Sequence, residues 1–317
     1  MSRRYGITLA VLWLAGFVAA ALVIQIQHIG LGIVFPALAA VLLEASLYAS
    51  LAFEEIRCRW RWQYVALLAP VPYLLYTLPL GRSSVVEPAV LILLAALAAG
   101  WFRFTPSGRL ADFAFVALMA APLIFKLFPL IYPRAHEDLR LDFLGQLLWI
   151  RAGVIAVLHD RPQRGIHFGF VPSRQEWAAG LRWFAYSLPA VLGLVVATGF
   201  ASFAIPKTPW WLTACLATGT FLGIFWVVAL SEEFFFRGLL QQWLAEITRN
   251  RWAGLILASV LFGSAHLGFR GFPNWRFAAV AAASGIFYGL SFEKGNGIRA
   301  AMVTHALLVT VWRALFR

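Results

Sequence analysis

Ser231-Glu232-Glu233-Phe234-Phe235-Phe236-Arg237-Gly238 follows directly on an apolar run from Trp210 to Leu230. Two adjacent carboxylates and an arginine against so long an apolar run are costly to keep and mark a functional site by default. On a helix, Glu233 and Arg237 stand four residues apart with the acid first, the favourable order for an ion pair. Glu232 is turned about a hundred degrees away, so one arginine cannot readily serve both acids. One acid is therefore expected to be structural and the other free. A free carboxylate in low-dielectric surroundings is a candidate general base, and that residue is Glu232.

The whole chain fits this setting. Of its 317 residues, 62% are hydrophobic and 13% charged, with a mean hydropathy of +0.78, whereas a soluble domain carries about a quarter charged residues. A soluble globular protein is excluded, and the fold class expected is all-α, a polytopic transmembrane helical bundle. The net charge of +12 would suit nucleic acid in a soluble protein. Here the arginines punctuate apolar runs and read as topology-setting loops, so the lipid bilayer is the expected partner and nucleic acid is not. Cys58 and Cys215 show neither pairing nor metal-ligand spacing.

Ser2-Arg3-Arg4 and the apolar run from Gly6 to Ile26 resemble a signal peptide, but the length favours an uncleaved first span. Further spans are expected at 31–53, 62–80, 86–103, 111–132, 143–158, 183–204, 209–230, 252–268, 277–292 and 298–315. That makes about 10–11 membrane helices, several interrupted by Pro70, Pro72, Pro122, Pro129 and Pro189. Arginines at 57, 59, 61, 103, 109, 161, 164, 174 and 182 recur at alternate connections, as a cytoplasmic N-terminus requires. The organisation expected is an accessory helical region at 1–157, a polar connector at 158–182 with Ser173 as a helix cap, and a membrane core at 183–317. Glu44, Lys126 and Arg151 fall inside apolar runs and read as interhelical pairs or snorkelling side chains.

Glu54-Glu55-Ile56-Arg57-Cys58-Arg59 repeats the two-acids-then-arginine spacing. It ends a span amid other arginines and lacks an accompanying membrane histidine, so it reads as an interfacial charge cluster. The central stretch differs in its downstream neighbours. Phe262-Gly263-Ser264-Ala265-His266 sets a histidine four residues after a phenylalanine with only small residues between, and Met302-Val303-Thr304-His305-Ala306 places another in the final span. Gly285 and Gly289, on the span between them, would let helices approach closely. Two glutamates and two histidines on three helices could then converge on one polar cavity. Taken singly, a membrane histidine is more often an interhelical hydrogen-bond partner than a catalyst, and phenylalanines such as Phe234 to Phe236 are more often lipid or core contacts than substrate readers. Ser264, two residues from His266, faces away from it and is not a nucleophile partner.

Glu232-Glu233-x-x-x-Arg237, Phe262-x-x-x-His266 and His305, in that order within apolar helices, resemble the three motifs of the CPBP family (CAAX proteases and bacteriocin-processing enzymes). These are intramembrane glutamic endopeptidases related to the type II CAAX prenyl endopeptidase. The resemblance covers about residues 220–312. It implies that Glu232, with His266, activates a water for attack on a peptide carbonyl of a membrane protein or peptide substrate. His305 would stand on the oxyanion side, with Glu233, Arg237 and Phe262 in support. It implies a multi-pass protein of a bacterial-type cell membrane and no cofactor. An asparagine or aspartate usually follows the last histidine by four residues in the family. Here that residue is Val309, which cannot donate a hydrogen bond, and a lost oxyanion donor costs on the order of a hundredfold in rate. Asn296 and Asn274 are the candidates to replace it from loops, while Thr310 is turned away.

Two other readings stand beside this one. Glutamates and histidines are proper zinc ligands, so Glu232, Glu233, His266 and His305 could hold zinc, although no His-Glu-x-x-His motif is present and Arg237 would oppose a cation. A non-catalytic membrane protein, whether transporter, immunity or scaffold factor, would keep the same charged cluster for folding. It gains nothing from inverted repeats, of which the sequence shows none.

Overall fold

The computed structural model describes residues 3–163 and 165–316. Ser2 and Arg164, both used in the topology reading, lie outside the described residues. The chain is all-α, with no strand among the described residues, and divides into two compact units, Met1–Pro162 and Gln163–Arg317.

The first unit contains α1 (Arg3–Gln27), α2 (Leu31–Ala49), the single turn α3 (Glu54–Arg57), α4 (Trp62–Leu68), α5 (Val71–Thr77), α6 (Val86–Phe104), α7 (Arg109–Ile124), the short α8 (Leu127–Ile131) and α9 (Phe143–Asp160). Two of its three buried charges among the described residues form an interhelical pair. Arg151 on α9 donates through Nε and Nη2 to the two carboxylate oxygens of Glu44 on α2, at 3.1 Å each. Arg161 makes a similar two-pronged contact with Asp112, at 2.9 Å. Lys126 is exposed and adopts a left-handed conformation between α7 and α8. Glu44 and Arg151 are thus the interhelical pair expected of them.

The second unit contains α10 (Arg174–Thr198), α11 (Trp210–Thr248), α12 (Arg251–Ala265), α13 (Trp275–Gly295) and α14 (Ile298–Leu315). Ser173 caps α10 in a capping box, its side chain accepting from the Glu176 backbone while Glu176 reaches back to the Ser173 backbone. Glu176 also accepts from Arg299 at 2.9 Å, which ties the start of α10 to α14. Close approach of the two helices depends on Gly180. A Cβ there would lie 2.5 Å from the Val303 Cβ and 2.9 Å from the Ala300 carbonyl oxygen.

The chain is a multi-pass membrane protein, but the expected span count is corrected. Among the described residues, seven helices are long and apolar enough to cross a membrane: Arg3–Gln27, Leu31–Ala52, Val86–Phe104, Phe143–Asp160, Arg174–Thr198, Trp210–Thr248 and Ile298–Leu315. Residues 62–80 form two short helices that break at Ala69 and Pro70. Residues 111–132 split at Lys126. The run at 252–268 yields only the shorter α12. Pro189, by contrast, does not interrupt α10, which also starts ahead of the expected 183. The polar connector therefore contracts to the residues between Asp160 and Arg174, and it is not merely a loose tether. Ile166 is buried and its carbonyl accepts from the Ile298 backbone, and the Phe168 ring meets Phe234 edge-on.

Candidate active site

The acidic segment sits inside α11, a continuous helix of 39 residues rather than a span ending near 230. Leu230–Phe235 keeps α geometry, but it is flanked by two wide π turns, Ile224–Ala229 and Phe236–Gln241. Such turns occur as single inserts in α-helices, frequently at functional sites.

The two glutamates divide as the spacing predicts. Glu233 and Arg237 are fully buried, and Arg237 Nε donates to Glu233 Oε2 at 3.2 Å. Arg237 Nη1 reaches Gln241 Oε1 at 3.5 Å and Ser259 Oγ at 3.4 Å. Gln241 in turn donates to Glu293 Oε1 at 3.2 Å. The guanidinium also lies over the Phe262 ring, 5.4 Å from its centroid. Glu232 is 27% exposed through its side chain, and its Oε2 is enclosed without a hydrogen-bond partner. That atom faces His305 Nε2 across 3.7 Å.

His305 is gripped from three directions. Its Nδ1 lies 2.7 Å from Glu233 Oε1, the Tyr288 ring stacks on it at 4.4 Å and 8°, and Phe262 meets it edge-on at 6.0 Å. A carboxylate can only accept, so Nδ1 carries the proton and Nε2 points toward Glu232. His266, at the C-terminal end of α12, has Nδ1 2.7 Å from the Phe262 carbonyl oxygen. This carbonyl likewise accepts, which leaves His266 Nε2 with a free lone pair. No hydrogen bond joins His266 directly to Glu232 among the described residues.

Both histidines line one cavity of about 70 Å³, together with Phe262, Ser284, Tyr288, Val309 and Trp312. Its lining is largely apolar, and of the four residues expected to converge there only the two histidines are on it, not Glu232 or Glu233. The small residues that bring the helices together are those the sequence singles out. A Cβ at Gly285 would lie 3.0 Å from Arg237 Nη2 and 3.2 Å from the Ser259 Cβ. At Gly289 it would collide with a Leu255 methyl and lie 2.6 Å from Gln241 Oε1. Gly263, notable in the sequence only for being small, is equally tight, since a Cβ there would run into the Ala278 carbonyl oxygen.

Val309 faces the cavity, and neither suggested asparagine lines it. Asn274 is spent on capping α13, accepting from Phe277 and donating to the Phe269 carbonyl, while Asn296 ends that helix in a left-handed conformation. Thr310 donates to the Ala306 carbonyl. No group of three or more histidine, cysteine, aspartate or glutamate residues is placed to hold a metal ion among the described residues. Sequence reasoning missed Tyr288, Gln241, Ser259 and Glu293. Their only signal was spacing, since Tyr288 falls between the two glycines already marked on α13.

Residues 214–311 match the family model for the type II CAAX prenyl endopeptidase, Rce1-like. That segment carries the CAAX protease resemblance read from the motifs and contains Glu232, Glu233, Arg237, Phe262, His266, Tyr288 and His305. No curated protein and no solved structure matches the chain.

Proposed function

We propose that the second unit hydrolyses a peptide bond of a membrane-proximal or C-terminal-tail protein substrate, with Glu232 as the base that activates water. One observation carries this reading. In an apolar helix, Glu232 keeps a partly exposed carboxylate whose enclosed Oε2 has no hydrogen-bond partner, beside a twin that is wholly buried and paired. A free acid at such a place costs folding energy and is retained for chemistry.

In the proposed reaction Glu232, assisted by the lone pair of His266, accepts a proton from water as the water oxygen bonds to the peptide carbon. The carbonyl oxygen takes the negative charge and is held at the His305 end of the cavity. The tetrahedral intermediate then collapses, the C–N bond breaks, and the proton passes to the leaving amine. Glu233 fixes the tautomer of His305, and Arg237 offsets the charge of Glu233. Supporting this assignment are the Rce1-like match, the 3.7 Å approach of His305 Nε2 to Glu232 and the position of both histidines on one cavity. The clusters Arg3–Arg4 and Arg57, Arg59, Arg61 bracket the α1–α2 pair, which supports a cytoplasmic N-terminus in a bacterial-type cell membrane.

The test is cleavage of membrane-tail peptides by purified protein in liposomes, comparing wild type with Glu232→Gln and His266→Ala, each with and without chelator. Loss of cleavage in both variants with no chelator effect is the expected result. Full activity of Glu232→Gln would sink the assignment. Chelator sensitivity would turn it toward a zinc enzyme, and solute uptake surviving the loss of Glu232 toward a non-catalytic transporter.

A further inference from the structure

A tetrahedral intermediate in this cavity needs an N–H or O–H aimed at its oxygen, and the lining supplies very few. Ser284 directs its hydroxyl to the Val280 carbonyl oxygen at 2.8 Å. His266 directs its Nδ1 proton to the Phe262 carbonyl oxygen. The Nδ1 proton of His305 belongs to Glu233. A second proton on His305, if present, would sit on Nε2, facing the unpartnered oxygen of Glu232. The histidines therefore present acceptors or already committed donors to the cavity, and Val309 presents only methyl groups. Trp312 brings an indole N–H to the same lining, but at its Phe277 end, where the two rings stack at 5.4 Å and Arg270 lies over the indole.

Resting on the hydrolytic reading above, we infer that the phenol of Tyr288 is the oxyanion donor of this site. Tyr288 is fully enclosed, lines the same cavity as both histidines, and lies flat against His305. Its position on α13 is fixed between Gly285 and Gly289, where the neighbouring helices press close. The residues of α13 that line the cavity, Phe277, Val280, Ala281, Ser284 and Tyr288, follow one helical stripe, and Tyr288 closes it next to His305. No bond to Tyr288 is made or broken. The phenol keeps its proton and shares it with the carbonyl oxygen as that oxygen becomes negative, which is the interaction that strengthens most on the way to the transition state. The missing amide at Val309 is thereby replaced from the facing helix.

Tyr288→Phe removes the hydroxyl and preserves the stacked ring. The expected result is a fall in kcat on the order of a hundredfold with KM little changed and an unaltered melting temperature. Adding Val309→Asn to Tyr288→Phe should restore at least about tenfold of the loss, because it returns a donor to the opposite wall. Wild-type kcat in Tyr288→Phe overturns the proposal. So does a loss that tracks a lowered melting temperature and is not recovered by Val309→Asn. Glu232→Gln run in the same assay separates the two claims. If it is inactive while Tyr288→Phe is fully active, only the donor assignment fails. If Glu232→Gln retains activity, or the wild type cleaves nothing, the hydrolytic reading and this inference fall together.

Discussion

The chain writes two acids followed by an arginine twice, and the two copies meet opposite fates. Glu54 and Glu55 begin a helix of a single turn that ends at Arg57, so Arg59 lies beyond it and both acids are exposed. Arg57 turns back to the Leu51 carbonyl at 2.9 Å. At Glu232 and Glu233 the helix runs on for several turns in both directions, and the same spacing becomes a face. There Arg237 finds Glu233, Gln241 and Ser259. The buried Glu44–Arg151 pair adds a third case, equally deep, with neither a second acid nor a histidine attached among the described residues. Spacing proposes a pair, helix continuity makes it, and the proposed chemistry needs in addition a leftover carboxylate beside an oriented imidazole.

This contrast can be broken by experiment. Its largest expected consequence is in turnover. Glu232→Gln should lower cleavage by about a hundredfold to ten-thousandfold, the usual range for a general base, while Glu54→Gln should leave cleavage at the wild-type level. Equal losses from the two would erase the distinction. Next comes stability. Arg237→Ala leaves Glu233 buried and unpaired and should cost about 3–5 kcal/mol, read as reduced folded yield and a lower unfolding midpoint, whereas Arg59→Ala should change neither. A smaller effect is expected at Gly285→Ala. The added methyl meets Arg237 Nη2 at 3.0 Å and Ser259 at 3.2 Å, and overpacking of this kind costs about 1–3 kcal/mol. The smallest expected effect is Ser173→Ala, which removes a helix cap worth about 1 kcal/mol and should lower the melting temperature without altering cleavage per folded molecule.

Much of the fold and site was legible in the sequence because it is local. The Glu233–Arg237 pair, the Ser173 cap and the close packing at Gly285 and Gly289 each follow from spacing within one helix. The span count was not legible, because hydropathy cannot separate a run broken at Pro70 from one that passes intact through Pro189. Whether a proline interrupts depends on what the neighbouring helices do with the freed carbonyl. The 2.7 Å contact between Glu233 and His305 joins residues 72 apart in the chain, and no periodicity announces it. The flat contact of Tyr288 on His305 was hidden for the same reason. An aromatic residue between two glycines reads as packing until its neighbour across the interface is known.

The wide turns Ile224–Ala229 and Phe236–Gln241 have a consequence for the phase of the helix. Each takes up one residue more than an ordinary α turn, so that residue is accommodated locally and the helix beyond keeps its facing. Straightening Phe236–Gln241 into regular geometry with every residue kept would turn everything downstream by about 100°, carrying Gln241 off Glu293 and Trp243 out of its enclosed position. The wide turn is what lets one helix hold Glu233 and Arg237 inward and still deliver Trp243 to the interior two turns later.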